Sequence, residues 1–151
     1  MIVYRIAKTR YSRDLTGEGA RLHGGRWNHI LTPCIYTSES RALALLEFTV
    51  NINIDAMPGG LSITSIEIPD DSWTEPKRAM LPADWMHVPS PSSTKDFGTK
   101  LLKMAEAPVL RLPSAVIPLE YNFILNPLHP ESRNFKIVAV EEFVYDVRIK
   151  G

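Results

Sequence analysis

Apolar and polar positions alternate loosely from Ile2 to Ala7, which predicts a first strand. Lys8 to Asn28 is then a long polar segment with glycines at 17, 19, 24 and 25. A loop of that length in a compact domain is often functional. Pro33 to Thr37 reads as a short strand with its proline at the start, where a missing N–H is tolerated. The period then changes: Ser38 as N-cap and Glu39 in the first turn predict a helix to about Asn53. Leu43, Leu46 and Val50 share one face of it, and Ala44, Leu45 and Phe48 cover much of the other. A helix apolar on most sides is a buried one. Glu47 falls inside the first face and is the only charged residue between Arg41 and Asp55.

Met57-Pro58-Gly59-Gly60 reads as a turn, and Leu61 to Ile68 as a strand closed by Pro69. Asp70 to Ser93 carries four prolines and is mostly irregular, with one helical turn predicted at Pro82-Ala83-Asp84-Trp85. Ser93 or Thr94 is expected to cap a helix through Ala105, with Gly98 a weakness inside it. Further strands are expected at Val109 to Leu112, Ala115 to Ile117, Lys136 to Val140 and Phe143 to Ile149. Asn122 to Pro130 reads as a loop or short strand. The pattern is that of a single α+β domain over residues 1–151, with more strand than helix and no repeat or linker.

Composition changes this picture little. With 151 residues, 44% hydrophobic, the chain can bury a real core. Lys plus Arg and Asp plus Glu balance at 17 each, so no global field recruits nucleic acid or an anionic membrane. Arginines and lysines do crowd the first 26 residues, which suits a small anionic ligand as well as a polymer. Cys34 is the only cysteine, in the apolar run Pro33-Cys34-Ile35-Tyr36; a buried, inert thiol in a reducing cytoplasm is the expectation. Neither a signal-peptide core nor a membrane-spanning apolar stretch is present.

The candidate chemistry centres on His23-Gly24-Gly25-Arg26-Trp27-Asn28 and on Glu47. Arg, Trp and Asn together can grip an anion, stack on a ring and fix an orientation, although a polar turn is the better reading on local grounds alone. A carboxylate on an apolar helix face must be paired, hydrogen-bonded or protonated, unless it reaches solvent from the helix margin. Arg26 and Arg5 are its natural partners, and two arginines near one carboxylate also suit a bound phosphate. Ser114 follows Arg111-Leu112-Pro113 without a nucleophile elbow, and reads as a strand-end hydroxyl able to bond a carboxylate or a ligand amide. Gly17-Glu18-Gly19 fails as a dinucleotide fingerprint because Leu stands at position 22 and no strand precedes it. The histidines at 23, 29, 87 and 129 lack metal-ligand spacing, so no metal is expected. His129, in the rigid turn Asn126-Pro127-Leu128-His129-Pro130, is expected on a surface turn.

Taken together, these residues resemble the RES domain family, toxins of bacterial toxin–antitoxin pairs. The matching pieces are Tyr4-Arg5-Ile6, Gly19-Ala20 with Gly24-Gly25-Arg26-Trp27-Asn28, Tyr36-Thr37-Ser38-Glu39-Ser40 and Ala42 to Glu47. Leu110 to Pro118, Asn122, Leu125 to Pro130 and Phe143 to Arg148 complete the series, in order and over essentially the whole chain. The sequence departs from the family at His29-Ile30-Leu31-Thr32-Pro33, where a short polar turn with Gly is common.

The resemblance implies a fold similar to the mono-ADP-ribosyltransferase toxins, a mixed sheet with flanking helices and an NAD cleft between β elements. It implies cleavage of the nicotinamide–ribose bond of NAD+, the substrate, by hydrolysis or phosphorolysis, or transfer of ADP-ribose to a protein. By motif match Arg26 and Glu47 are the catalytic pair, completed by Tyr36 and Ser114. Arg5, Trp27, Asn28, Ser38 and Asn126 are expected around the bound dinucleotide. The implied partner is an Xre-type helix-turn-helix antitoxin that blocks the cleft, with a homodimer or larger toxin–antitoxin complex open. Two other readings compete with catalysis on NAD: a non-catalytic module that binds a nucleotide or the antitoxin, and a nuclease.

Overall fold

A computed structural model describes residues 1–53 and 59–150. Its order is β1 (Ile2–Lys8), α1 (Glu18–His23), β2 (Ile35–Ser38), α2 (Arg41–Asn51), β3 (Leu61–Glu67), β4 (Trp73–Thr74), α3 (Ser92–Met104), β5 (Val109–Pro113), β6 (Tyr121–Leu125) and β7 (Lys136–Phe143). The strands form one seven-stranded sheet in the order β4-β5-β6-β2-β1-β3-β7. Only β4 and β5 run parallel, so the architecture is the expected mixed α+β.

Strand alternation splits the core into two clusters. Val109, Phe123, Leu125, Ile35 and Val3 belong to one. Their neighbours Leu110, Ile124 and Cys34 join Trp27, Trp85 and Leu102 in the other. A strand covered on both faces has no polar side, which is why Val109 to Leu112 reads as an almost continuous apolar run. Tyr4, Ser38, Asn122 and Leu112 lie opposite one another across β1, β2, β6 and β5, a single row on the second face. β1 and β2 meet only at Tyr4 and Ser38 and then part.

Several expected elements are redrawn. The polar stretch from Lys8 to Asn28 contains α1, a short helix that ends at Gly24. Ser38 is the last residue of β2, and the cap of α2 is Ser40, whose hydroxyl accepts from Leu43 N–H. The helix stops at Asn51, short of Asn53, and it is not buried all round: Val50 is exposed. α3 has no side-chain cap; the Ser93 hydroxyl donates to Asp84 and that of Thr94 to Pro91. Pro82 to Trp85 closes a turn by Trp85 N–H to Pro82 C=O and forms no helix.

Ala115 to Ile117 is a bend outside the sheet, closed by Ser114 N–H to Glu120 C=O and by Glu120 N–H to Ile117 C=O. Tyr121 to Leu125 is a strand in the middle of the sheet. β7 is one strand where two were expected, and Val147 to Ile149 makes a 3-10 turn. His129 is buried at the start of another such turn, its Nδ1 accepting from Glu131 N–H. Met57 and Pro58 of the expected turn lie outside the described residues.

Candidate functional site

Where β1 and β2 part, a cleft of about 840 Å³ opens. That size suits a small-molecule or cofactor site. Its lining joins both strands to α1, to the Gly24–Trp27 turn and to the cleft-facing residues Ala44, Glu47, Phe48 and Val50 of α2. This explains the exposed end of an apolar helix: its last turns, which carry Glu47, Phe48 and Val50, border a cleft in place of a core.

Glu47 sits half-buried at that cleft wall. Its Oε1 accepts the Ser114 hydroxyl at 2.6 Å and the Asn122 amide at 2.8 Å. The bond offered by the sequence reading for Ser114 is therefore present, whereas neither expected arginine pairs with the carboxylate. Ser114 is fully buried and also accepts from Val116 and Ile117 N–H at 3.0 and 3.1 Å, which fastens the turn after β5. Asn122 escaped the sequence reading as a site residue. Its signal was an amide in the apolar run Tyr121-Asn122-Phe123-Ile124-Leu125, since a buried polar group in a central strand needs a partner.

Arg26 lines the cleft and donates both Nη1 hydrogens, to Trp85 C=O at 2.9 Å and His87 C=O at 2.8 Å. Five donors in a fixed fork leave Nε and Nη2 for a ligand. Burial pulls the guanidinium below its ordinary pKa, opposed by the charges of Glu47 and Tyr36. Arg5 also lines the cleft, but its Nη2 is spent on the carbonyls of Tyr11 and Ser12, and its Nε is buried without a partner. Burial lowers its pKa as well, against the pull of Asp14.

Tyr36 holds the Arg26 turn together. Its hydroxyl accepts Trp27 N–H at 3.0 Å and donates to Asn28 Oδ1 at 2.6 Å. Burial, chiefly, raises its pKa well above the ordinary phenol value. Gly25 makes room for that ring: a Cβ there would lie 2.6 Å from the Tyr36 oxygen. The group that approaches this glycine closely is the protein's own tyrosine. α3 braces the turn from the other side through Lys95 Nζ to Gly25 C=O at 2.7 Å and His29 N–H to Thr99 Oγ1 at 2.9 Å.

The remaining expected ligand residues divide. Trp27 and Ser38 border the cleft, although both are almost wholly buried, Trp27 against Trp85 and Phe97. Asn28 and Asn126 are corrections. The Asn28 amide donates to the carbonyls of Ala20, His29 and Thr32, and so knots the loop around it. Asn126 donates to Leu102 C=O and accepts from Leu128 N–H, which ties α3 to the end of β6. Neither lines the cleft. Cys34 is buried, and desolvation pushes its thiol up to about 12, in keeping with an inert group. Among the described residues no helix is long and apolar enough to cross a membrane, and no cluster of His, Cys, Asp or Glu is placed to hold a metal.

Comparison with known proteins places this architecture. The chain is 35% identical over 152 residues to a Yersinia enterocolitica protein called Toxin Res, covering 99% of this chain and 100% of that one. It is 34% identical over 146 residues to a Sphingobium protein called Prs ADP-ribosylating toxin, covering 95% and 91%. A chain in the crystal structure of the M. tuberculosis MbcT–MbcA toxin–antitoxin complex shares the fold, with a TM-score of 0.74 at 18% identity over 95% of this chain and 84% of that one. The profile of the RES domain matches residues 2–146. By sequence over nearly its whole length, the chain belongs to the RES domain family.

Proposed function

We propose that the chain is the toxin of a toxin–antitoxin pair and that its cleft binds NAD+ and cleaves the bond between nicotinamide and ribose. The observation that carries this is Glu47: one carboxylate oxygen pinned by Ser114 and Asn122, the other unpartnered among the described residues, on a cleft wall shared with Arg26. Departure of nicotinamide with the bonding electron pair leaves positive charge on the ribose. A carboxylate held beside it in a partly apolar cleft stabilises that charge without reorganising. The free edge of the Arg26 fork suits the pyrophosphate. Water adding to the ribose carbon and losing its proton gives ADP-ribose, and phosphate adding there gives the phosphorylated product.

The test is nicotinamide release by the purified, antitoxin-free protein, with and without phosphate. Release that depends on phosphate identifies phosphorolysis, and no release together with undiminished NAD in expressing cells refutes the reading. Transfer of ADP-ribose to a protein side chain is the second reading, favoured by the name of the Sphingobium relative. Labelled NAD that marks a protein band distinguishes it. The toxin–antitoxin relatives support an antitoxin as the partner. An Xre-type protein whose segment fills the cleft is the form we propose, and co-purification with such a protein tests it. Unchanged growth on expression of both wild type and Glu47→Gln would favour a non-catalytic module instead.

A further inference from the structure

We infer that Asn122 and Ser38 are positioning residues which, with Ser114, make Oε2 the only oxygen of Glu47 free to act in the cleft. The inference deepens the NAD-cleaving reading, but its geometry stands independently of the reaction.

Hydrogen bookkeeping carries the argument. A serine hydroxyl has one hydrogen and two acceptor positions. In Ser114 both acceptor positions are taken by Val116 and Ile117 N–H, so its hydrogen goes to Glu47 Oε1. The Asn122 amide is fixed from behind: Ser38 Oγ donates to Asn122 Oδ1 at 2.8 Å. Turning that amide over would set its oxygen against Glu47 Oε1, acceptor on acceptor. Nδ2 therefore faces Glu47, and Oε1 receives two hydrogens with neither donor able to accept one back. A proton that reaches this carboxyl group must reside on Oε2.

Ser38 and Asn122 are directly paired in the sheet and both buried, so this pair is built on strands and not on loops. Sites supported by such elements hold geometry more tightly than loop sites. The sheet thus serves as a jig that turns one oxygen of Glu47 away from the ligand and offers the other.

The experiment uses the full chain and the variants Asn122→Ala, Ser38→Ala and their combination. Two readouts are followed: nicotinamide release from NAD+, and the carboxylate stretch of Glu47 in the infrared difference between each protein and its Glu47→Gln counterpart. Asn122→Ala is expected to lower kcat about 10- to 100-fold with KM for NAD+ changed less than about threefold, as for a misplaced group. Ser38→Ala lowers kcat less, and the double variant falls no further than Asn122→Ala, because Ser38 acts through Asn122. The carboxylate band moves in both single variants.

A band unmoved in Asn122→Ala, or losses that add in the double variant, overturns the inference. Should Asn122→Ala fail to fold, the Ser38→Ala band, from the removal of a single oxygen, decides it. A wild type that releases no nicotinamide refutes the NAD reading alone, since the band still reports on the carboxylate.

Discussion

Gly98 stands in the middle of α3, where glycine normally costs a helix about 1 kcal/mol relative to alanine. By that reasoning Gly98→Ala should stabilise the protein, and the structure reverses the sign. A Cβ at this position would lie 2.0 Å from the Trp27 carbonyl oxygen and 2.8 Å from its carbonyl carbon. Ordinary carbon–oxygen contacts are about 3.3 Å, so helix and turn must separate by about 1 Å. The obstructing atom is backbone, and the turn is bonded to the same helix through Lys95 and Thr99, so neither side yields cheaply. Overpacking costs about 1–3 kcal/mol, a clash this close with backbone belongs at the upper end of that range, and the propensity gain offsets about 1. The net loss is about 2 kcal/mol, or a Tm lowered by about 4–8 °C at this chain length. Gly19, in α1, is the control: a Cβ there meets nothing within 4 Å, so Gly19→Ala should raise stability by up to about 1 kcal/mol. Urea unfolding of the two variants beside the wild type measures both. A Gly98→Ala protein as stable as the wild type would refute the close docking of α3 on the Arg26 turn.

Four further outcomes are expected. Leu31 has φ 79°, a left-handed conformation that costs a branched side chain about 1–2 kcal/mol, so Leu31→Gly should hold or raise the urea midpoint. Ser114→Ala removes one support of Glu47 and strands the N–H groups of Val116 and Ile117; it should cost about 1–3 kcal/mol in urea unfolding and lower the rate of nicotinamide release as well. Tyr36→Phe leaves Trp27 N–H and Asn28 Oδ1 without their partner, a loss of about 1–3 kcal/mol that thermal unfolding should register together with weaker NAD binding. The Cys34 thiol, pushed up to about 12, is ionised to only about 1 part in 10⁴ at pH 8, so iodoacetamide should label it quickly in urea and far more slowly in the native protein, where the rate should rise with pH.

The sequence reading was strongest where periodicity and chemistry agreed. α2 announced itself by its apolar faces, and Glu47 by its charge among them. Ser38 reads as the cap of α2, and only its pairing with Asn122 shows that the strand claims it and leaves the cap to Ser40. Ala115 to Ile117 has the composition of a strand, but the hydroxyl of Ser114 takes the N–H groups a ladder would need. α1 left no periodic trace because a short helix is held by its surroundings and not by propensity. Asn28 and Asn126 look like ligand groups in a sequence, since nothing there reveals that backbone carbonyls have already consumed their amides. In the turn at His29 to Pro33, Leu31 adopts a left-handed φ, a conformation that glycine takes more readily.

Arg26 holds the carbonyls of Trp85 and His87, and this governs what its replacement can teach. An inactive Arg26→Ala protein would carry two lesions, a missing positive charge and an untethered 85–87 segment. Lysine repairs only the first, since a single ammonium cannot reach two carbonyls and still present a planar edge to a ligand. Free guanidinium added to Arg26→Ala supplies the charge without the tether, and the activity it restores apportions the loss between the two.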